Sequence, residues 1–128
     1  MRWDVEKKIK IKAGNVEAEA TLNDSPTAGK IWEALPIEAR GNTWGDEIYF
    51  GIPVEAELEK TAKEVVEVGD LGFWPPGHAF CIFFGPTPAS RGNEVRPASA
   101  VNVVGRVSGD ARIFKKAPSG SKVTIDKA

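Results

Sequence analysis

Residues 65–88, VVEVGDLGFWPPGHAFCIFFGPTP, decide how the rest of the chain is read. Within them, Ala79 to Phe84 form six consecutive apolar residues held between Gly-Pro punctuation. That run is too short for a helix and rich in aromatics, so it predicts a strand buried on both faces. Ahead of it, Gly69-Asp70 and Gly72 read as turn signals, and Trp74-Pro75-Pro76-Gly77 as a rigid, aromatic-anchored loop. Pro76, Pro86 and Pro88 flank the strand and keep a sticky segment from pairing with other chains.

Working towards the N-terminus, Trp3, Val5, Ile9, Ile11 and Ala13 alternate with Asp4, Glu6, Lys8, Lys10 and Lys12, interrupted once by Lys7. Period two predicts a half-buried strand. Gly14-Asn15 supplies a tight turn. Val16, Ala18, Ala20 and Leu22 then alternate with Glu17, Glu19 and Thr21, giving a hairpin with glutamates opposite lysines on the wet side. Ser25 and Pro26 read as an N-cap and first helical residue. Ala28, Ile31, Trp32 and Leu35 form one face of a short helix that Pro36 ends, and the open mouth of a barrel is its expected dock.

Further strands are expected at 37–40, 46–50, 100–107 and 122–126, with Gly105 marking a bulge or close approach. Residues 55–63 are polar and ambiguous between a short helix and an extended excursion, 89–97 read as a loop, and 110–116 as a turn or two of helix. Seven or eight short strands with one convincing helix predict a mainly β fold, a closed barrel with one capping α-helix and a possible short second helix. No repeat or linker divides residues 1–128, so one domain is expected.

Composition bounds the function. Hydrophobic content of 41% and charged content of 27% belong to an ordinary globular protein. A formal charge of -1 offers no footprint for nucleic acid, and Lys7, Lys8, Lys10 and Lys12 read as the solvent face of a strand. The charged start argues against a signal peptide, and no apolar run approaches the ~18 residues of a membrane span. Cys81 stands alone, which suits a reducing compartment, so a cytoplasmic location is expected. With one cysteine and one histidine there are too few ligands for the usual zinc sites; no metal and no cofactor are expected.

Three stretches carry a resemblance. Pro26-Thr27-Ala28 with Trp32, Ala34 and Leu35 resembles the first helix of cyclophilins, and residues 103–109 (VVGRVSG) resemble their VVFGKVxxG segment. Residues 122–126 (KVTID) resemble their closing strand. Residues 42–50 (NTWGDEIYF), 69–88 and 96–105 (RPASAVNVVG) further resemble small prokaryotic cyclophilin-like proteins without an assigned reaction. The resemblance implies an eight-stranded cyclophilin-type barrel. Orthodox cyclophilins rotate X-Pro bonds over a barrier of ~20 kcal/mol, with an arginine donating to the imide nitrogen. Their FHRxIPxFMxQGGD and GSQFFI motifs are not intact here. Arg40 falls roughly where the catalytic arginine would come.

Two functions follow as expectations. One is a binding module that takes a small molecule or an extended, proline-containing peptide beside the barrel. The other is a divergent prolyl isomerase using Arg40. Trp44 and Trp74, in glycine- and proline-rich loops, either line a ligand pocket or plug the barrel. Arg40, Asn42, Trp44, Tyr49, Trp74 and His78 are expected around one concave site. Asn102, between two valines, must be hydrogen-bonded if it faces inward, structurally or toward a ligand. His78 alternatively sits on a loop or rim. Cys81 is expected as core filler, and Asp46 and Glu47 as residues on opposite strand faces rather than a dyad.

Overall fold

The computed structural model describes residues 7–128, so the alternation read at Trp3 and Val5 lies outside the described residues. The hairpin pairs β1 (Lys7–Ala13) with β2 (Val16–Leu22). Lys10 faces Glu19 and Lys12 faces Glu17 across it, while Ile9, Ile11 and Ala13 are buried. The helix α1 (Pro26–Ala34) starts at Ser25, whose side chain accepts from the Ala28 backbone amide. Ala28 and Ile31 are buried in the barrel core, and Trp32 lies beneath the Lys127 ammonium, 4.5 Å from the ring centroid.

After α1 come β3 (Ile37–Arg40), β4 (Asn42–Thr43) and β5 (Glu47–Gly51). Then follow β6 (Asp70–Trp74), β7 (Ala79–Phe83), β8 (Asn102–Val107) and β9 (Lys122–Lys127). One antiparallel sheet runs β3-β9-β1-β2-β8-β6-β7-β5-β4. Its two edge strands, β3 and β4, are consecutive in the chain and meet at Gly41. Gly41 donates to Ser121, and a Cβ on it would stand 3.0 Å from both Ile48 and Val123. The chain breaks at this glycine into β3 and β4, so the nearly closed barrel has nine antiparallel strands, one more than the eight expected.

Barrel closure leaves β7 with no wet face. Phe80, Ile82 and Phe84 point into the barrel with Ile48, Phe50, Leu71 and Phe73; Phe50 and Phe80 stack at 5.5 Å. Ala79, Cys81 and Phe83 point outward into a second apolar cluster with Val66, Val95 and Val101. Two bridges outside the strands, Lys63 with Val101 and Val66 with Val95, fasten the segments that cover this outer cluster.

The structure corrects one local reading. Gly69 does turn, with φ +97°, but residues 70–74 are a central strand rather than a turn. Gly72 is extended, and its missing side chain leaves room for Phe83 and Val101, each 3.1 Å from where a Cβ would stand. Tertiary crowding selected this glycine, a reason local propensity does not show. Opposite it, the β6–β8 register slips between Leu71 and Gly72, and Gly105 presses against the Thr21–Leu22 backbone. Residues 55–63 form no helix but an extended strap with one turn near its end. The second helix is a short 3-10 segment, Ala111–Lys116, capped by Asp110.

Phe83 belongs wholly to the outer cluster, so Phe83→Ala tests whether that cluster is a second core. It should cost about 3–5 kcal/mol, read as a lowered urea midpoint at unchanged slope. Leu58→Ala, at an exposed position on the strap, should stay within about 0.5 kcal/mol of the parent.

Candidate functional site

The outer face of β5, β6 and β7 is only partly covered, and a cavity of about 290 Å³ opens there. Its walls are Trp44, Glu47, Tyr49, Trp74, Cys81, Pro97, Ala98 and Val101. The strand period of two puts Glu47 and Tyr49 on the outward side, with Ile48 and Phe50 turned inward. Cys81 lies directly across the ladder from Tyr49 on one side and Gly72 on the other. The side-chain-free Gly72 keeps the floor low.

Each tryptophan is fixed by its own loop. Trp44 opens a tight turn whose amide donates to the Glu47 carbonyl at 2.9 Å, with Gly45 at φ +60°. Trp74 precedes the 3-10 turn Pro75–Gly77; its indole donates to Ser99 Oγ at 2.6 Å. Gly77 lies against the same ring, where a Cβ would come within 2.9 Å. The Trp74 ring is therefore held in place with little rotamer entropy left to lose, while the turn fixes the backbone of Trp44.

Polarity is scarce. Glu47 is only 5% exposed, and no lysine or arginine pairs with it among the described residues. Burial in apolar surroundings pushes its carboxyl up to about 7, and a hydrogen bond with Cys81 works weakly in the opposite sense. Burial also pushes the Cys81 thiol well up, and the neighbouring Glu47 charge adds to that. A thiol held this way stays protonated at neutral pH, as expected of a residue that fills the floor. No group of three or more His, Cys, Asp and Glu side chains gathers as a metal set among the described residues.

Of the residues singled out in the sequence, Trp44, Tyr49 and Trp74 share this cavity. The others are elsewhere. Asn42 is exposed on β4 and donates to the Tyr49 carbonyl at 3.4 Å. Arg40 is exposed and donates to the Gly120 carbonyl at 3.0 Å. His78 takes a left-handed backbone, φ 48°, and borders a separate shallow hollow with Ile52, Pro53, Val54 and Glu55. Asn102 is 0% exposed. Its amide donates to Thr27 Oγ1 and the Glu57 carbonyl, and its oxygen accepts from the Glu59 amide. The Glu59 carboxylate in turn accepts from the Thr27 amide and hydroxyl, so Asn102 pins strap, helix and sheet together.

Glu47 is the wall residue that sequence reasoning missed as a site. Its signal was present: an acid on the same strand face as Tyr49, two residues away, beside a strand with no polar face.

A family model described as Cyclophilin-like matches residues 7–126. A hypothetical protein of Archaeoglobus fulgidus, whose solution structure is known, is similar at 43% identity and a TM-score of 0.82, over 97% of this chain and 96% of that one. McbB, solved in complex with tryptophan, is similar at a TM-score of 0.63 and 14% identity, over 93% of this chain and 44% of that one. This chain spans under half of McbB, and the likeness is one of fold. No curated protein matches.

The raised Glu47 pKa has a consequence for stability. Between about 4.5 and 7 the folded chain keeps a proton that the unfolded chain has released, so stability falls as pH rises through that window. Glu47→Gln, which removes the titration, should gain about 1–3 kcal/mol over the parent at pH 8 and little at pH 5. Thermal melts of both proteins at the two pH values check this.

Proposed function

We propose, for a chain that belongs to the cyclophilin-like family, that it is a binding module whose guest enters the cavity on the outer barrel wall. The observation that carries the reading is the convergence of two loop-anchored tryptophans and Tyr49 on one apolar hollow. A volume of about 290 Å³ lies at the small end of the roughly 300–1,000 Å³ typical of ligand pockets. It fits a small molecule, or one side chain of an extended peptide, rather than a large cofactor. Ring faces provide contact area, and the few polar atoms set orientation.

Binding is favoured over prolyl isomerisation by what stands in the wall. Rotation about X-Pro needs a fixed donor over the imide nitrogen, and the cavity wall contains no arginine. Arg40 spends its guanidinium on Gly120 instead.

Titration with indole, followed by the tryptophan side-chain N–H resonances of the isotope-labelled protein, tests the proposal. A saturable response is expected, perturbing Trp44 and Trp74 while sparing Trp32. Tyr49→Ala should weaken it by about 0.5–1.5 kcal/mol, roughly two- to twelvefold. A response spread equally over Trp32, or none at millimolar indole, would remove the cavity as a site. Isomerisation of a proline-containing tetrapeptide above background, lost in Arg40→Ala, would return the enzyme reading to first place.

A further inference from the structure

The cavity joins two features that seldom occur together by accident: three aromatic side chains in its wall, and one buried carboxyl with no cation beside it. An aromatic face attracts a positive charge through its quadrupole, and the attraction grows when both are desolvated. A buried carboxylate has the same preference, because an uncompensated charge in an apolar setting is costly. We propose that the guest of this cavity is a small organic monocation, an alkylammonium, held by the faces of Trp44, Tyr49 and Trp74 with Glu47 as its counter-ion. The inference rests on the binding reading above and assigns the chemical class of the ligand.

The surroundings of Glu47 support an organic cation over a metal or an anion. Across the ladder from it stands Phe83, and the thiol beside it belongs to Cys81; neither carries charge at neutral pH. Tyr49, two residues on, adds a hydroxyl. Asp46, on the opposite strand face, is engaged by Lys115 at 3.7 Å, so that lysine is occupied outside the cavity. A hard metal ion would need several oxygen ligands, and the wall offers one carboxyl. An anion would meet an acid and no donor cation. An alkylammonium with apolar bulk around the charge matches both the rings and the acid.

Pairing has a proton cost that makes the idea measurable. In the empty protein Glu47 holds its proton up to about pH 7, so a cation that requires the carboxylate must displace that proton. About one molecule in eleven is ionised at pH 6 and ten in eleven at pH 8, so apparent affinity should rise about tenfold between them.

Calorimetry with choline and with 3,3-dimethylbutan-1-ol, its uncharged carbon isostere, at pH 6 and pH 8 decides the matter. Choline should bind at least tenfold more tightly than the isostere at pH 8, and release close to one proton per site at pH 6. Its affinity should rise about tenfold from pH 6 to pH 8, and Glu47→Gln should remove that rise and most of the preference over the isostere. Equal affinity for the two, or a flat pH profile in the parent protein, overturns the cation assignment while leaving the cavity as a site for neutral guests. If neither compound binds and indole also fails, the binding reading and the cation assignment fall together.

Discussion

A strand that is apolar on both faces cannot stand in a barrel wall with one face wet. Ala79–Phe83 is such a strand, and each of its residues is buried. Phe80 and Ile82 fill the barrel, and Ala79, Cys81 and Phe83 force the chain to build a cover outside it. The strap, the segment ending at Val95 and the bridges at Lys63 and Val66 exist in this arrangement because the outward side of β7 must be kept from water. The cavity is the part of that outer layer that the cover leaves unfilled. Site and second core are thus one physical problem with two outcomes.

Asn102 shows how the cover is attached. Its carboxamide lies where water does not reach, and its three partners are one residue of the helix, Thr27, and two of the strap, Glu57 and Glu59, all distant in sequence. A buried amide left unsatisfied would cost about 1–3 kcal/mol, so the network fixes one arrangement of strap against barrel. The same network spends every polar atom it has on structure. Asn102 therefore contributes rigidity to the wall behind the cavity rather than a contact inside it.

Much of this was legible in the sequence because the signals were local. The hairpin announced itself by lysines and glutamates on alternate positions, the helix by Ser25-Pro26, and β7 by an unbroken apolar run. Trp44 and Trp74 were legible for the same reason, each standing beside a glycine- or proline-rich turn. What stayed hidden depended on contacts across the fold. Gly72 reads as a turn until Phe83 and Val101 are seen crowding it. Glu47 reads only as one of two acids on opposite strand faces until the outward side of β7 is found to be covered. Arg40 was placed near the site by its rank along the chain, yet its exposed guanidinium turns to the Gly120 carbonyl and is not part of the cavity wall.

The floor and the roof of the cavity have different mechanical origins. Cys81, Glu47 and Tyr49 are ladder residues, and a change at any of them disturbs a sheet that also closes the barrel. Pro97 and Ala98 come from a segment tied largely to itself, with Thr87 donating to the Arg96 carbonyl and Ser90 accepting from the Thr87 and Arg96 amides. Evolution can therefore work on the two halves at different rates. Enlarging residue 98 reshapes the cavity from its roof while the ladder that closes the barrel is left untouched.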